Sequence, residues 1–255
     1  MAEVAEVKNK KEGKSAPPKE VTKRKRPPRA PASRPIFKQK LVVQSLQGQR
    51  IMNKSFEYVE RSLFRLGVIL RIIGEAEQID EVNAVIQKFE SEVKVDFQEH
   101  EARLCAILNQ NGLGDDGMVD DDSLCEFTSP ETYEIDISTP QLRQFIALLS
   151  NLDRVIQKTD TLWLMGAFSD KQRMIANYQA QQRLFRFAGR IIGLERRARF
   201  AAYKKGREQE VEAEAPKAEQ DAAEKGLVAA EKGTDNVSEA LQEELGVPEK
   251  ETEPA

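Results

Sequence analysis

The side chains of this chain best suited to chemistry are cations, and what they offer is the binding of phosphate. Lys23, Arg24, Lys25, Arg26, Arg29 and Arg34 crowd into residues 23–34, among prolines that keep the backbone extended. An arm of this kind neutralises phosphates and releases counterions, giving salt-sensitive affinity without sequence information. A solubilising extension or a nuclear-import signal would have the same composition. A second group, Arg183, Arg186, Arg190 and Arg197, falls on one stripe of an expected helix, with Arg196 and Arg199 beside it. Phe185, Ile192 and Phe200 lie off that stripe, so the helix can bury one side and display arginines on another. A third group is Lys38, Lys40 and Gln44 in IFKQKLVVQ, residues 36–44. Strict alternation puts them with Val42 on one face of a strand and Phe37, Gln39, Leu41 and Val43 on the other. A two-stranded ribbon fits the major groove of duplex DNA, where outward side chains read base edges.

Groups for bond-making chemistry are missing. The one histidine, His100, lies on an apolar helical seam, where it reads as a core residue rather than a base or ligand. There is no Cys-x-x-Cys, glycine-rich phosphate loop or nucleophile elbow. Asp115, Asp116, Asp120, Asp121 and Asp122 fail the calcium-loop register, because counting back from Gly117 puts Gly112 where the first carboxylate belongs. The expectation is a protein that is not an enzyme and uses no metal or cofactor. Cys105 and Cys125 read as reduced thiols in a cytoplasmic protein, since the N-terminus has no apolar signal segment and no aliphatic run approaches a membrane span.

Charge is sharply segregated. The net of −4 is the sum of +7 over residues 1–34, −8 over 35–182, +8 over 183–207 and −11 over 208–255. Charged residues make up 32 % and aromatics only 6 %, too few large apolar groups for a core along the whole length. Prolines cluster before 36 and after 215. The expected organisation is a disordered basic Pro-rich arm at 1–35, a helical domain at 36–206 and a disordered acidic tail at 207–255. A −11 segment tethered to a +8 helix has a high effective concentration, so an intramolecular contact between tail and basic helix would compete with DNA.

Within the domain the elements are expected in the order β-α-α, loop, β-α-α. After the first strand, Gly48 reads as part of a short connection. A helix over 53–73 carries the seam Phe56, Val59, Leu63, Leu66, Leu70 and Ile73. Gly74 ends it, and a second helix over 79–109 is read as folding back on it in an antiparallel hairpin. Residues 109–130 form an acidic, glycine-rich loop without periodicity. Tyr133, Ile135 and Ile137 then alternate with Glu134, Asp136 and Ser138 as a second strand. Thr139 caps and Pro140 opens a helix to about Leu164, and Ser169 with Gln172 forms the capping box of the last helix. Pairing the two strands sets Glu134 and Asp136 against Lys38 and Lys40, a favourable cross-strand arrangement. The fold class is therefore mainly α, with long amphipathic helices and a short antiparallel ribbon in two β-α-α units.

The run from Tyr133 to Ile192, preceded by EYVERSLFRLGVILRII, resembles the AcaB-like regulators of conjugative plasmids and integrating conjugative elements. The points of likeness are the short strand with Ser138-Thr139-Pro140, an aliphatic helix with Asp153 beside Arg154, and the Arg-rich final helix. The likeness spans about residues 37–200. It implies a ribbon-helix-helix fold and transcriptional regulation, with Lys38, Lys40 and Gln44 as ribbon readers of double-stranded DNA in a homodimer or larger oligomer. The alternative is a helical adaptor of such an element that binds a protein partner, since apolar seams need no function beyond packing.

Overall fold

The structure, a computed structural model, describes residues 35–74, 76–113, 123–217 and 227. The basic arm with Lys23, Arg24, Lys25, Arg26, Arg29 and Arg34 lies outside these, as do the aspartates of residues 115–122 and most of the acidic tail. The described elements are β1 (Phe37–Val43), α1 (Leu46–Ile51), a π-helical turn (Met52–Phe56), α2 (Glu57–Ile73), α3 (Ala76–Gln110), β2 (Glu131–Ile137), α4 (Pro140–Leu164), α5 (Asp170–Lys204) and α6 (Glu208–Glu214).

The two strands pair antiparallel, with Lys38 opposite Asp136 and Lys40 opposite Glu134, the register the charges demand. Leu41, Val43, Ile135 and Ile137 point into the core, and the alternate positions face solvent. This leaves the ribbon one wet face and one dry face, as a two-stranded sheet needs helices beneath it to be stable.

A shift of 94 residues carries Phe37 onto Glu131, Leu46 onto Pro140, Ala76 onto Asp170 and Gln110 onto Lys204. The same shift carries the cap Ser45 onto Thr139, and each accepts a hydrogen bond from the amide three residues on, Gly48 and Leu142. Buried Ile86, Val93, Phe97 and Leu108 map onto buried Ala180, Phe187, Ile191 and Ala202. The described domain thus repeats one strand-and-helix pattern at a spacing of 94 residues, with different amino acids and matching burial at these positions.

Helix packing departs from the expected hairpin. α2 meets α3 only around their turn at Gly74, which has φ 75°. Instead α2 lies along α5 and α3 lies along α4, so the first helix of each half packs on the second helix of the other. The seams of α2 and α3 are both real, but each is covered from the opposite half. Phe145 of α4 sits at the junction, its ring centroid 6.4 Å from Phe56 and 6.1 Å from Phe187.

Two boundaries also move. Gly48 is not in a connection; it is buried in the first turn of α1, where a β-carbon would lie 2.5 Å from Val43 Cγ1 and 3.1 Å from Asp153 Oδ1. The helix therefore starts at Leu46 rather than 53, because Ser45 caps it and glycine lets it press against the strand. At the other end the fold passes residue 206: Val211 and Ala215 are buried, and Val211 packs with Ile69 and Ala202.

Candidate nucleic-acid interface

The outer face of the ribbon presents Lys38, Lys40 and Val42 from β1 beside Thr132, Glu134 and Asp136 from β2, all exposed. Lys40 Nζ lies 3.4 Å from Glu134 Oε1, with the two side chains 76 % and 80 % exposed. An ion pair this wet contributes about 0–1 kcal/mol, so either partner can leave it for a better one at little cost. Lysine donates to guanine O6 and N7, carboxylates accept from the cytosine amine, and methyl groups contact the thymine methyl.

Several interactions fix this ribbon to the helices. The Asp153 carboxylate, on α4, accepts hydrogen bonds from the backbone N–H groups of Gln44 at 2.7 Å and Ser45 at 2.8 Å. A residue of the second half thus clamps the strand-to-helix corner of the first, with its charge at a helix N-terminus where the dipole favours it. Gln49 of α1 donates to Ser129 O at 2.8 Å, tying down the approach to β2. Gln44 is therefore located just past β1, with its amide engaged by Asp153.

At the flanks of the ribbon, the first turns of α1 and α4 each lie beside a second helix of the other half. Gln181 of α5 donates to Gln47 O at 3.1 Å, and Gln141 of α4 donates to Asn83 of α3 at 3.3 Å. Arg50, Arg173, Asn177 and Gln47 line an open groove on the α1 side. Arg173 is held by both oxygens of the buried Asp160, at 2.6 and 3.0 Å, and stacks 4.0 Å from the Trp163 ring. On the other flank Glu60 is pushed up by burial and, secondarily, by the Asp136 carboxylate.

The arginine stripe is not the open ridge that its spacing suggests. Arg183 lies 3.7 Å from Asp96, with its side chain 29 % exposed. Arg190 lies 3.4 Å from Glu92 and 4.2 Å from the Phe89 ring centroid. Arg186 is half-buried on the same side, and only Arg197 of the four is exposed. The stripe turns toward the acidic side of α3, and its charge serves a helix–helix seam. His100 lies in that seam: burial, then Arg183 and Arg103, pull it down to about 4, so it is neutral near pH 7.

At the far end of α5, Arg199 is buried between Glu195 at 2.8 Å and Glu212 of α6 at 2.7 Å, while Arg71 of α2 lies 2.6 Å from Glu214. The start of the acidic segment is thus seated on α2 and α5, remote in sequence from the ribbon. Cys105 and Cys125 are free thiols. Among the described residues no cluster of metal-ligating side chains occurs, and no helix is long and apolar enough to cross a membrane.

The sequence places Lys38, Lys40 and Val42 on one face with Glu134 and Asp136 as their acidic partners, and Thr132 is the member of that face it leaves out. Alternation alone carried that signal. The roles of Asp153 and Gly48 had no local signal, because each is defined by a contact far along the chain.

No protein-family model and no curated protein matches this sequence. Among solved structures, the chain is similar to selenomethionine-containing AcaB from uropathogenic E. coli, with 44 % identity, a TM-score of 0.71, and coverage of 79 % of this chain and 100 % of that one. Identity at this level over the full length of the relative, with the ribbon and helices in place, means that the chain belongs to the AcaB family.

Proposed function

We propose that the protein is a DNA-binding transcriptional regulator of ribbon-helix-helix type, serving a conjugative or integrating mobile element. The observation that carries the reading is the exposed outer face of the ribbon, where Lys38 and Lys40 stand beside groups able to read bases. The cross-packed helices support it, because interlocked β-α-α units are what allow two short strands to stand out from a helical body. The regulatory role and the mobile-element setting are what the AcaB resemblance implies, and both are part of the proposal. Gln44, at the ribbon's end, would lie near a groove edge. The basic arm would add phosphate contacts. Association of chains into a dimer is part of the same proposal, and it would place two ribbons on neighbouring grooves.

The test is duplex binding by fluorescence anisotropy across salt, with promoter fragments of the protein's own element and scrambled controls. The intact chain is expected to prefer the promoter duplex. Lys38→Ala with Lys40→Ala should sharply weaken the preference and leave mainly salt-sensitive background binding. Deleting residues 1–34 should reduce the slope of log K against log salt by up to about 10, from about 0.9 per phosphate contact and the eleven Lys and Arg it removes. Equal binding to all duplexes by the intact chain would refute the regulator reading and favour a helical adaptor with a polycationic arm.

A further inference from the structure

We infer that one chain reads a directional DNA element, with G·C recognised at one end of the ribbon and thymine methyls at the other. This rests on the DNA-binding reading and follows from the internal repeat. The 94-residue shift makes Lys40 and Glu134 equivalent, and the register places these two opposite one another. The local two-fold therefore passes through the Lys40–Glu134 pair. In a ribbon built from two identical strands, such an axis forces the same side chains onto both ends. Here it relates Lys38 to Thr132 and Val42 to Asp136.

The ladder then sorts these into unlike ends. Lys38 stands opposite Asp136, giving an ammonium and a carboxylate side by side. Val42 stands opposite Thr132, giving methyl groups and one hydroxyl. The charged end matches a G·C pair, with lysine on guanine O6 or N7 and aspartate on the cytosine amine. The methyl-bearing end matches thymine. Positions 38 and 42 are separated by about 13 Å at the usual rise of a strand, or about four base-pair steps.

The flanks are unlike in the same sense. The first turn of α5, which shares a groove with Arg50 of α1 through Asp170 and Arg173, carries Asp170, Lys171 and Arg173, a net positive set. Its equivalent in α3, beside the charged end, carries Glu77, with Glu81 one turn on. A phosphate is attracted on the first side and repelled on the second. The backbone grip and the base-reading face therefore share one polarity, which an assembly of identical half-sites would not have.

The experiment is selection of bound duplexes from a randomised library by the intact chain, with binding stoichiometry measured on the shortest selected duplex. The expected result is an element of four to five base pairs per chain, by the span above, with no dyad through its centre, alone or as copies in a larger site. Lys38→Ala should lower affinity for the preferred base about 5- to 150-fold at the G·C end alone, the range for a bidentate base contact. Val42→Ala should relax thymine preference at the other end alone. Both side chains are exposed, and unchanged circular dichroism and melting would show that the variants fold. A dyad-symmetric element bound by a single chain, or a Lys38→Ala effect spread equally over both ends, would overturn the inference and leave the DNA-binding reading standing. No enrichment of any duplex would overturn both.

Discussion

Asp153 offers the most informative single perturbation, because one carboxylate joins the two halves at the base of the ribbon. It accepts from Gln44 N at 2.7 Å and Ser45 N at 2.8 Å. Asp153→Ala removes both bonds. Gln44 is exposed, so its amide regains water and that loss is partly recovered. Ser45 is fully buried, so its amide is left without a partner, at about 1–3 kcal/mol. Adding the lost charge at the α1 N-terminus, about 0.3–1 kcal/mol, and the remaining bond gives a total of about 2–4 kcal/mol. For a domain of this size, that is a melting shift of about 5–15 °C. Asp153→Asn can still accept one of the two bonds and should lose about half as much. The assay is thermal and urea unfolding followed by far-UV circular dichroism, with hydrogen exchange at the Ser45 amide as a local readout. An Asp153→Ala protein that melts like the parent and keeps its Ser45 protection would refute the reasoning.

Other expectations follow from neighbouring features. Gly48→Ala places a methyl 2.5 Å from a buried, β-branched Val43 and should destabilise by about 1–3 kcal/mol, measured by urea titration. Glu101 receives both Arg154 and the buried Lys158, so Glu101→Ala strands a buried ammonium and should cost about 3–5 kcal/mol, whereas Arg154→Ala should cost far less. His100 binds its proton less readily folded than unfolded, its folded value of about 4 lying below the ordinary 6.5. Stability should therefore fall as pH drops through 6.5 toward 4, and His100→Leu should flatten that loss in unfolding titrations at pH 7.5 and 5.

Much of this fold is written in short-range periodicity. The strands are legible because Tyr133, Ile135 and Ile137 alternate with acids, and the register is legible because Lys38 and Lys40 have charge partners at the matching spacing. Caps at Thr139 and Ser169 mark their helices for the same local reason. What covers a seam is a different kind of information. A tight turn at Gly74 shows that the chain reverses, and it does not say that α2 and α3 pack together; their seams are filled by α5 and α4. The arginines of α5 keep helical spacing whichever way they face, and only the acids Glu92 and Asp96 on α3 decide the direction. Val211 and Ala215 were invisible among glutamates because two small apolar residues suffice to seat a seven-residue helix.

The exchange of helices between halves also sets a schedule for synthesis. When β1 leaves the ribosome, its pairing partner β2 is still 94 residues downstream, a wait of about 5–20 s at about 5–20 residues per second. α2 waits longer still, since its covering helix α5 ends at Lys204. Through that interval Leu41, Val43 and the α2 seam have no native cover, and the first half cannot complete a core by itself. Folding must therefore be largely post-synthetic for this domain and dominated by contacts distant in sequence, which slow it. A chain truncated before β2 would expose an unpaired strand edge and an apolar helix face together, the combination that holdase chaperones and proteases recognise.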